Sequence, residues 1–228
     1  MEYLGFGIVL LVAAVALRKL LRYKSLYPLL PRKYNFGKRR DTLRSTLELL
    51  EERRARTLIE TGTARLGLAK TKGDGASTIV FGLWARQHGA HLHSVDIDAQ
   101  AISESRRAVD QLDLGTAVSF HVSDSVQFLA EFAEPVDFLY LDSYDYDTRD
   151  VQIQRASQAH HMKEFAAVEG RLHGDSVVLI DDCGAPGGGK GKLVIEHMLA
   201  NGWQTVKDSY QVLLTRSDSP TATQAEPR

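Results

Sequence analysis

Four apolar runs in this chain each end on a carboxylate: Leu58-Ile59-Glu60, Leu92-His93-Ser94-Val95-Asp96, Phe138-Leu139-Tyr140-Leu141-Asp142 and Val177-Val178-Leu179-Ile180-Asp181-Asp182. Short runs of this kind, set between segments with helical periodicity, read as parallel strands buried on both faces. If they share one sheet, their carboxyl ends lie along one edge, where open α/β sheets bind ligands. The acids then share one crevice.

The pattern between these runs supports that arrangement. Asp41 can cap a helix through Leu43, Leu47, Leu50 and Ala55. Strands are then expected over 57–60, 92–96, 117–122, 136–142 and 177–181, with helices over 76–87, 99–112, from 125, 150–168 and 193–199. Such alternation predicts a parallel sheet with helices on both faces. The ending differs, because only a short polar connection separates strands at 203–207 and 210–215. These should pair as an antiparallel hairpin at a sheet edge.

Composition narrows the class. With 228 residues and 43% hydrophobic content, the chain can bury a full core as one domain plus appendages. A net charge of -1 provides no global basic field, so no nucleic-acid partner is expected. Cys183 is the only cysteine, which excludes an intramolecular disulfide and a multi-cysteine zinc site.

Residues 3–17 carry no charge, and Arg18, Lys19, Arg22 and Lys24 follow at once. About 15 residues is short of the roughly 20 that span a bilayer, but Leu20, Leu21 and snorkelling basic side chains extend the reach. The expectation is a single-pass anchor over 1–22, with the main domain cytoplasmic by the positive-inside tendency. A cleaved signal peptide is disfavoured because Glu2 precedes the run and the basic cluster follows it. Residues 23–40 then read as a basic linker, in which Pro28 and Pro31 break helix and Lys33, Lys38, Arg39 and Arg40 face anionic headgroups. Residues 41–216 form the main domain, and the polar tail over 217–228 is expected to be disordered.

The first strand runs into Glu60-Thr61-Gly62-Thr63, and Gly73-Asp74-Gly75-Ala76-Ser77-Thr78 opens the next helix. Glycines there let backbone approach a ligand, and the helix amino terminus offers free N–H groups. The next strand ends on Asp96, placed to accept the hydroxyls of a ribose.

On these residues, 57–216 resembles a class I S-adenosylmethionine-dependent methyltransferase, through the Glu-Thr-Gly-Thr turn, the acid in Ser94-Val95-Asp96-Ile97-Asp98 and the terminal hairpin. The resemblance implies a Rossmann-like, doubly wound α/β sheet of seven strands, mostly parallel, with one antiparallel strand near the edge. It also implies S-adenosylmethionine as cofactor, with Gly62 and its neighbours Glu60, Thr61 and Thr63 at the methionine part, Asp96 at the ribose, Asp124 and Ser125 near the adenine, and Ser77, Ile97 and Asp142 as further cofactor contacts. The stretch 64–72 departs from the family in being longer and more basic. A dehydrogenase is the same-fold competitor, yet Glu60-Thr61-Gly62-Thr63-Ala64-Arg65 lacks its Gly-x-Gly-x-x-Gly register, and a pyrophosphate would sit badly beside Glu60.

The later acids resemble those of metal-dependent O-methyltransferases of the catechol and caffeoyl-CoA type. That likeness implies a divalent cation, magnesium by preference, on Asp142, Asp181 and Asp182, which would lower the pKa of a substrate hydroxyl. The alternative is that Asp142 serves the cofactor pocket while Asp181 and Asp182 cap the following loop. The lysine that catechol-type enzymes carry three positions beyond the first acid is replaced here by Asp145. Candidate catalytic groups are Asp142, Asp145 and His160; His161 points to a different helix face.

Residues 184–191 fit the first seven positions of a phosphate-binding loop, but Gly191 stands where Ser or Thr is required. The segment reads instead as a mobile loop over the substrate, with Lys190 or Lys192 meeting an anionic group. The expected protein is a membrane-anchored methyltransferase acting on a hydroxyl of a small-molecule, sugar or lipid-linked acceptor. A non-catalytic membrane-tethered module, an NAD-dependent oxidoreductase and a homodimeric state stay open as alternatives.

Overall fold

A strand that is apolar at every position must be covered on both faces, since its side chains alternate between them. The computed structural model, which describes residues 7, 10–17 and 23–216, meets that requirement strand by strand. In chain order the elements are α1 (Arg40–Glu52), β1 (Thr57–Thr61), α2 (Thr71–Asp74), α3 (Ser77–His88), β2 (His91–Asp96), α4 (Ala99–Asp110) and β3 (Val118–Val122). They continue with α5 (Ser125–Glu131), β4 (Val136–Leu141), α6 (Val151–Val168), β5 (Leu172–Ile180), α7 (Lys192–Ala200), β6 (Trp203–Asp208) and β7 (Val212–Arg216). The strands form a 7-stranded sheet in the order β3-β2-β1-β4-β5-β7-β6. Pairing is parallel from β3 to β5, and β7 lies antiparallel to both β5 and β6.

Two apolar layers result. Leu58, Leu92, Phe138, Tyr140, Val177, Leu179 and Leu213 face a layer with Phe81, Leu43 and Leu50. Their immediate neighbours Ile59, Leu139, Leu141, Val178, Ile180 and Leu214 face the other layer with Phe165, Leu129 and Met198. Local chemistry starts several helices: Asp98, Asp124 and Asp150 each accept a hydrogen bond from a first-turn backbone N–H of α4, α5 and α6.

The N-terminal expectations need correction. Among the described residues no helix is long and apolar enough to cross a membrane. This overturns the single-pass anchor and the cytoplasmic placement derived from it. Residues 10–17 are helical, but the uncharged run stops well short of the roughly 20 residues a bilayer core demands. The remainder of the expected anchor lies outside the described residues, as does the tail over 217–228.

The segment expected as a linker is packed onto the domain. Leu26, Leu30 and Phe36 are buried in the first apolar layer, and Arg39 is buried beside the strand ends. Its apolar residues follow no helical or strand period, which is why pattern reading missed their burial.

Phe138 is fully buried on β4 and meets Phe81 edge-on at 4.7 Å between ring centroids. Phe138→Ala is expected to cost about 3–5 kcal/mol in urea unfolding, with an unchanged denaturant slope.

Candidate active site at the carboxyl edge of the sheet

Parallel register carries the strand-end acids to one edge. Glu60 on β1 pairs with Ser94 on β2 and Tyr140 on β4. Beyond the strands, Asp142 N donates to Thr61 O at 3.0 Å and Asp181 N to Leu141 O at 3.1 Å, so the ladder continues into the loops. Gly62 sits between them at φ +83°, and a Cβ there would lie 2.5 Å from Asp142 O. Only glycine allows β1 and β4 to turn away so close together.

Glu60 and Asp96 define one half of the edge. Glu60 is fully buried; its Oε1 accepts from Ser94 Oγ at 2.6 Å and from Thr78 Oγ1. Its Oε2 has no partner among the described residues. Burial pushes the Glu60 carboxyl up to about 7, against the pull of those hydroxyl donors. Asp96 accepts from Thr63 N at 3.0 Å and from Asp98 N at 2.9 Å, which folds the Gly62 turn over the end of β2.

A cavity of about 300 Å³ opens beside this half, lined by Gly62, Asp96, Ile97, Asp124, Ser125 and His160 among others. Asp124 is exposed and is also the cap of α5, whereas Ile97 is 73% exposed. His160 Nε2 lies 3.2 Å from Ser125 Oγ and 3.4 Å from Glu164 Oε1, and the hydrogen bond to Glu164 raises its affinity for a proton. His161 is buried behind it, its Nδ1 against Ser157 O, away from any opening.

Asp142, Asp181 and Asp182 do converge, and two cations already hold them. Arg39 Nε donates to Asp181 Oδ2 at 2.8 Å and Oδ1 at 3.1 Å, and its Nη2 lies 3.5 Å from Asp182 Oδ1. Tyr140 OH adds a bond to Asp181 Oδ2 at 2.9 Å, and Asp182 N one to Asp181 Oδ1 at 2.9 Å. Lys190 Nζ bridges Asp142 Oδ1 at 2.6 Å and Asp182 Oδ2 at 3.2 Å, while Tyr210 OH donates to Asp182 Oδ1.

Burial alone would lower Lys190, but Asp142 and Asp182 outweigh it and hold the ammonium above the ordinary lysine value. Burial would raise Asp182, and Lys190, Tyr210 and Arg39 reverse that and hold it below the carboxylate range. Asp142 moves the other way. Burial lifts it, Lys190 opposes, and the charges of Asp181 and Asp182 leave it well above its ordinary value.

The expected metal set therefore does not fit a divalent cation. Among the described residues no group of three or more acids, histidines or cysteines is arranged to hold one. The carboxylates point their oxygens at Arg39 and Lys190, and a doubly charged ion roughly 4 Å from one ammonium would meet about 8 kcal/mol of repulsion at an effective dielectric near 20.

Asp145 is exposed at the rim, where it lines a polar cavity of about 170 Å³ together with Arg39, Gly62, Ser77, Asp142 and Lys190. The loop expected to be mobile is tied down: Gln158 Nε2 donates to Gly187 O at 3.1 Å and Gly189 O at 3.0 Å, and Tyr146 OH to Pro186 O. Lys190 does meet an anionic group, but one belonging to the chain itself.

Residues 72–183 match a protein-family description, "Methyltransferase domain". The matched stretch spans just under half of the chain and likens it to a methyltransferase domain. The same fold occurs in a putative caffeoyl-CoA O-methyltransferase from Staphylococcus aureus, with a TM-score of 0.57 and 13% identity over 77% of this chain and 82% of that one. It occurs too in the O-methyltransferase TomG from Streptomyces achromogenes, solved with S-adenosylmethionine, with a TM-score of 0.56 and 14% identity over 90% of this chain and 96% of that one. The Podospora anserina methyltransferase PaMTH1, solved with S-adenosylhomocysteine, gives a TM-score of 0.55 and 14% identity over 78% and 79%. No curated protein matches the chain in sequence.

Glu60 makes stability depend on pH with a defined sign. Its folded value is raised, so its contribution is fully present below about pH 4.5 and is lost as pH rises through about 7. Glu60→Gln is expected to remove a few kcal/mol of that pH dependence from the cofactor-free protein, read as the difference between the two stability profiles. Parallel profiles for the two proteins contradict the assignment.

Proposed function

We propose that this methyltransferase transfers a methyl group to a hydroxyl oxygen of a small-molecule acceptor. The observation that carries the reading is a fully buried acid with one unpartnered oxygen at a sheet edge where Asp96, Asp142 and Asp182 all line one polar opening. S-adenosylmethionine supplies a methyl group on a positively charged sulfur.

Its ammonium is the partner that Glu60 Oε2 lacks, since a buried acceptor without a donor is costly and a cation is the donor that recovers most. Gly62, Thr61, Thr63 and Ser77 offer backbone and hydroxyl groups around the same turn. Asp96 takes the ribose hydroxyls, with Ile97 against the sugar, and Asp124, Ser125 and His160 edge the cavity proposed for the adenine. The dehydrogenase alternative loses its footing here, because a pyrophosphate beside Glu60 would meet an acid with no compensating cation.

The polar cavity runs from Gly62, Ser77 and Asp96 to Asp142, Asp145, Lys190 and Arg39, and the acceptor is assigned to the latter end. With S-adenosylmethionine held there, the acceptor oxygen would bond to the methyl carbon as the carbon–sulfur bond broke and its electron pair returned to sulfur. The hydroxyl proton goes to the Asp142 carboxylate, whose burial favours taking it. Catalysis rests mainly on holding donor and acceptor in line, which the rigid sheet edge is suited to do.

Calorimetric titration of the full chain with S-adenosylhomocysteine tests the cofactor half. Saturable one-to-one binding is expected, and Asp96→Ala should weaken it by about 1.5–3 kcal/mol, roughly 10- to 100-fold. Heat indistinguishable from dilution with the unmodified protein would remove the methyltransferase reading in favour of a non-catalytic module.

A further inference from the structure

We propose that Lys190 is a built-in replacement for a catalytic metal: its ammonium sits between Asp142 and Asp182 where a divalent cation would sit, so the enzyme meets its acceptor oxygen with a lysine and binds no such cation. The inference rests on the methyltransferase reading for its acceptor, but its geometry stands apart from it.

Lys190 is placed by construction. Its side chain is 6% exposed and spans two carboxylates that leave different strands, Asp142 after β4 and Asp182 after β5. The backbone that delivers it is fitted closely. A Cβ on Gly189 would fall 2.1 Å from Asp182 O, and one on Gly191 would fall 2.7 Å from Cys183 Sγ. The two bonds from Gln158 clamp the preceding turn. Asp182 itself adopts φ +52°, a conformation that costs energy in a non-glycine residue and turns its carboxylate toward Lys190.

An ammonium has three donors, and Asp142 and Asp182 engage two of them. Lys190 also lines the polar cavity, so the remaining donor is free, among the described residues, for an acceptor oxygen. There it favours the negative charge that develops on that oxygen as its proton leaves, which is what a metal ion contributes at such a position. Arg39 belongs to the same arrangement: it saturates Asp181 and keeps that carboxylate from offering an oxygen to an incoming ion.

The test uses manganese alone, followed by electron paramagnetic resonance, on the full chain. The unmodified protein should leave Mn²⁺ free up to about 1 mM, while Lys190→Met, which removes the charge and keeps the bulk, should bind one ion at least about tenfold more tightly. Lys190→Arg, which keeps the charge, should exclude the ion as the unmodified protein does. A stoichiometric Mn²⁺ site in the unmodified protein that Asp142→Asn abolishes would overturn the proposal. So would Lys190→Met binding no better than the unmodified protein. If Lys190→Met does not fold, the titration of the unmodified protein and of Asp142→Asn decides alone. S-adenosylhomocysteine binding, measured on the same samples without metal, separates the outcomes: its absence removes the methyltransferase reading, whereas a manganese site removes only the lysine replacement.

Discussion

A carboxylate with no exposure to water is tolerable only when its oxygens are satisfied, and Asp181 is the point from which the rest of this sheet edge is organised. Its oxygens receive Arg39 Nε, the Tyr140 hydroxyl and the backbone N–H of Asp182. Each donor has a structural consequence. Arg39 ties the segment before α1 to the end of β5, so that Leu26, Leu30 and Phe36 close the first apolar layer. Tyr140 is held upright beside Phe81, 5.5 Å between centroids, and caps that layer beneath the site. The Asp182 N–H fixes the backbone whose left-handed turn aims the next carboxylate at Lys190.

The sheet was legible in the sequence because its information is local. Strands apolar at successive positions, helices with apolar spacing and acids at strand ends all repeat within a few residues, and the structure places them as read, including the antiparallel β6–β7 pair. The charge cluster was not legible for the opposite reason. Arg39 and Asp181 are 142 positions apart, and Lys190 and Asp142 are 48 apart, so nothing near either cation announces its partner. In the sequence Lys190 stands within a glycine-rich stretch, and that composition points to mobility where the structure has a clamped turn. The N-terminal reading failed on length: a run of apolar residues followed by basic ones has the order of an anchor without its extent.

Satisfaction, rather than the mere presence of acids, is what divides the site. Glu60 and Asp181 are both fully buried carboxylates, at the ends of the two strands that flank β4, and neither charge nor burial tells them apart. Their partners do. Asp181 has a donor on every side and behaves as structure, whereas Glu60 keeps one oxygen idle in a place where an idle acceptor costs about 1–3 kcal/mol. That cost persists in the folded chain unless a donor reaches it, which is why the proposed reading turns the ammonium of the cofactor toward this oxygen. The three acids on the other side are held from within by Arg39 and Lys190, so their oxygens are already engaged by donors of the chain itself. The Lys190 ammonium lines the opening among them, a fixed donor of the kind that suits a group becoming negative during reaction. The proposed reading thus assigns the two halves groups of opposite character, a cation at Glu60 and a developing anion at Lys190, the pair that transfer of a methyl group from sulfonium to oxygen would bring.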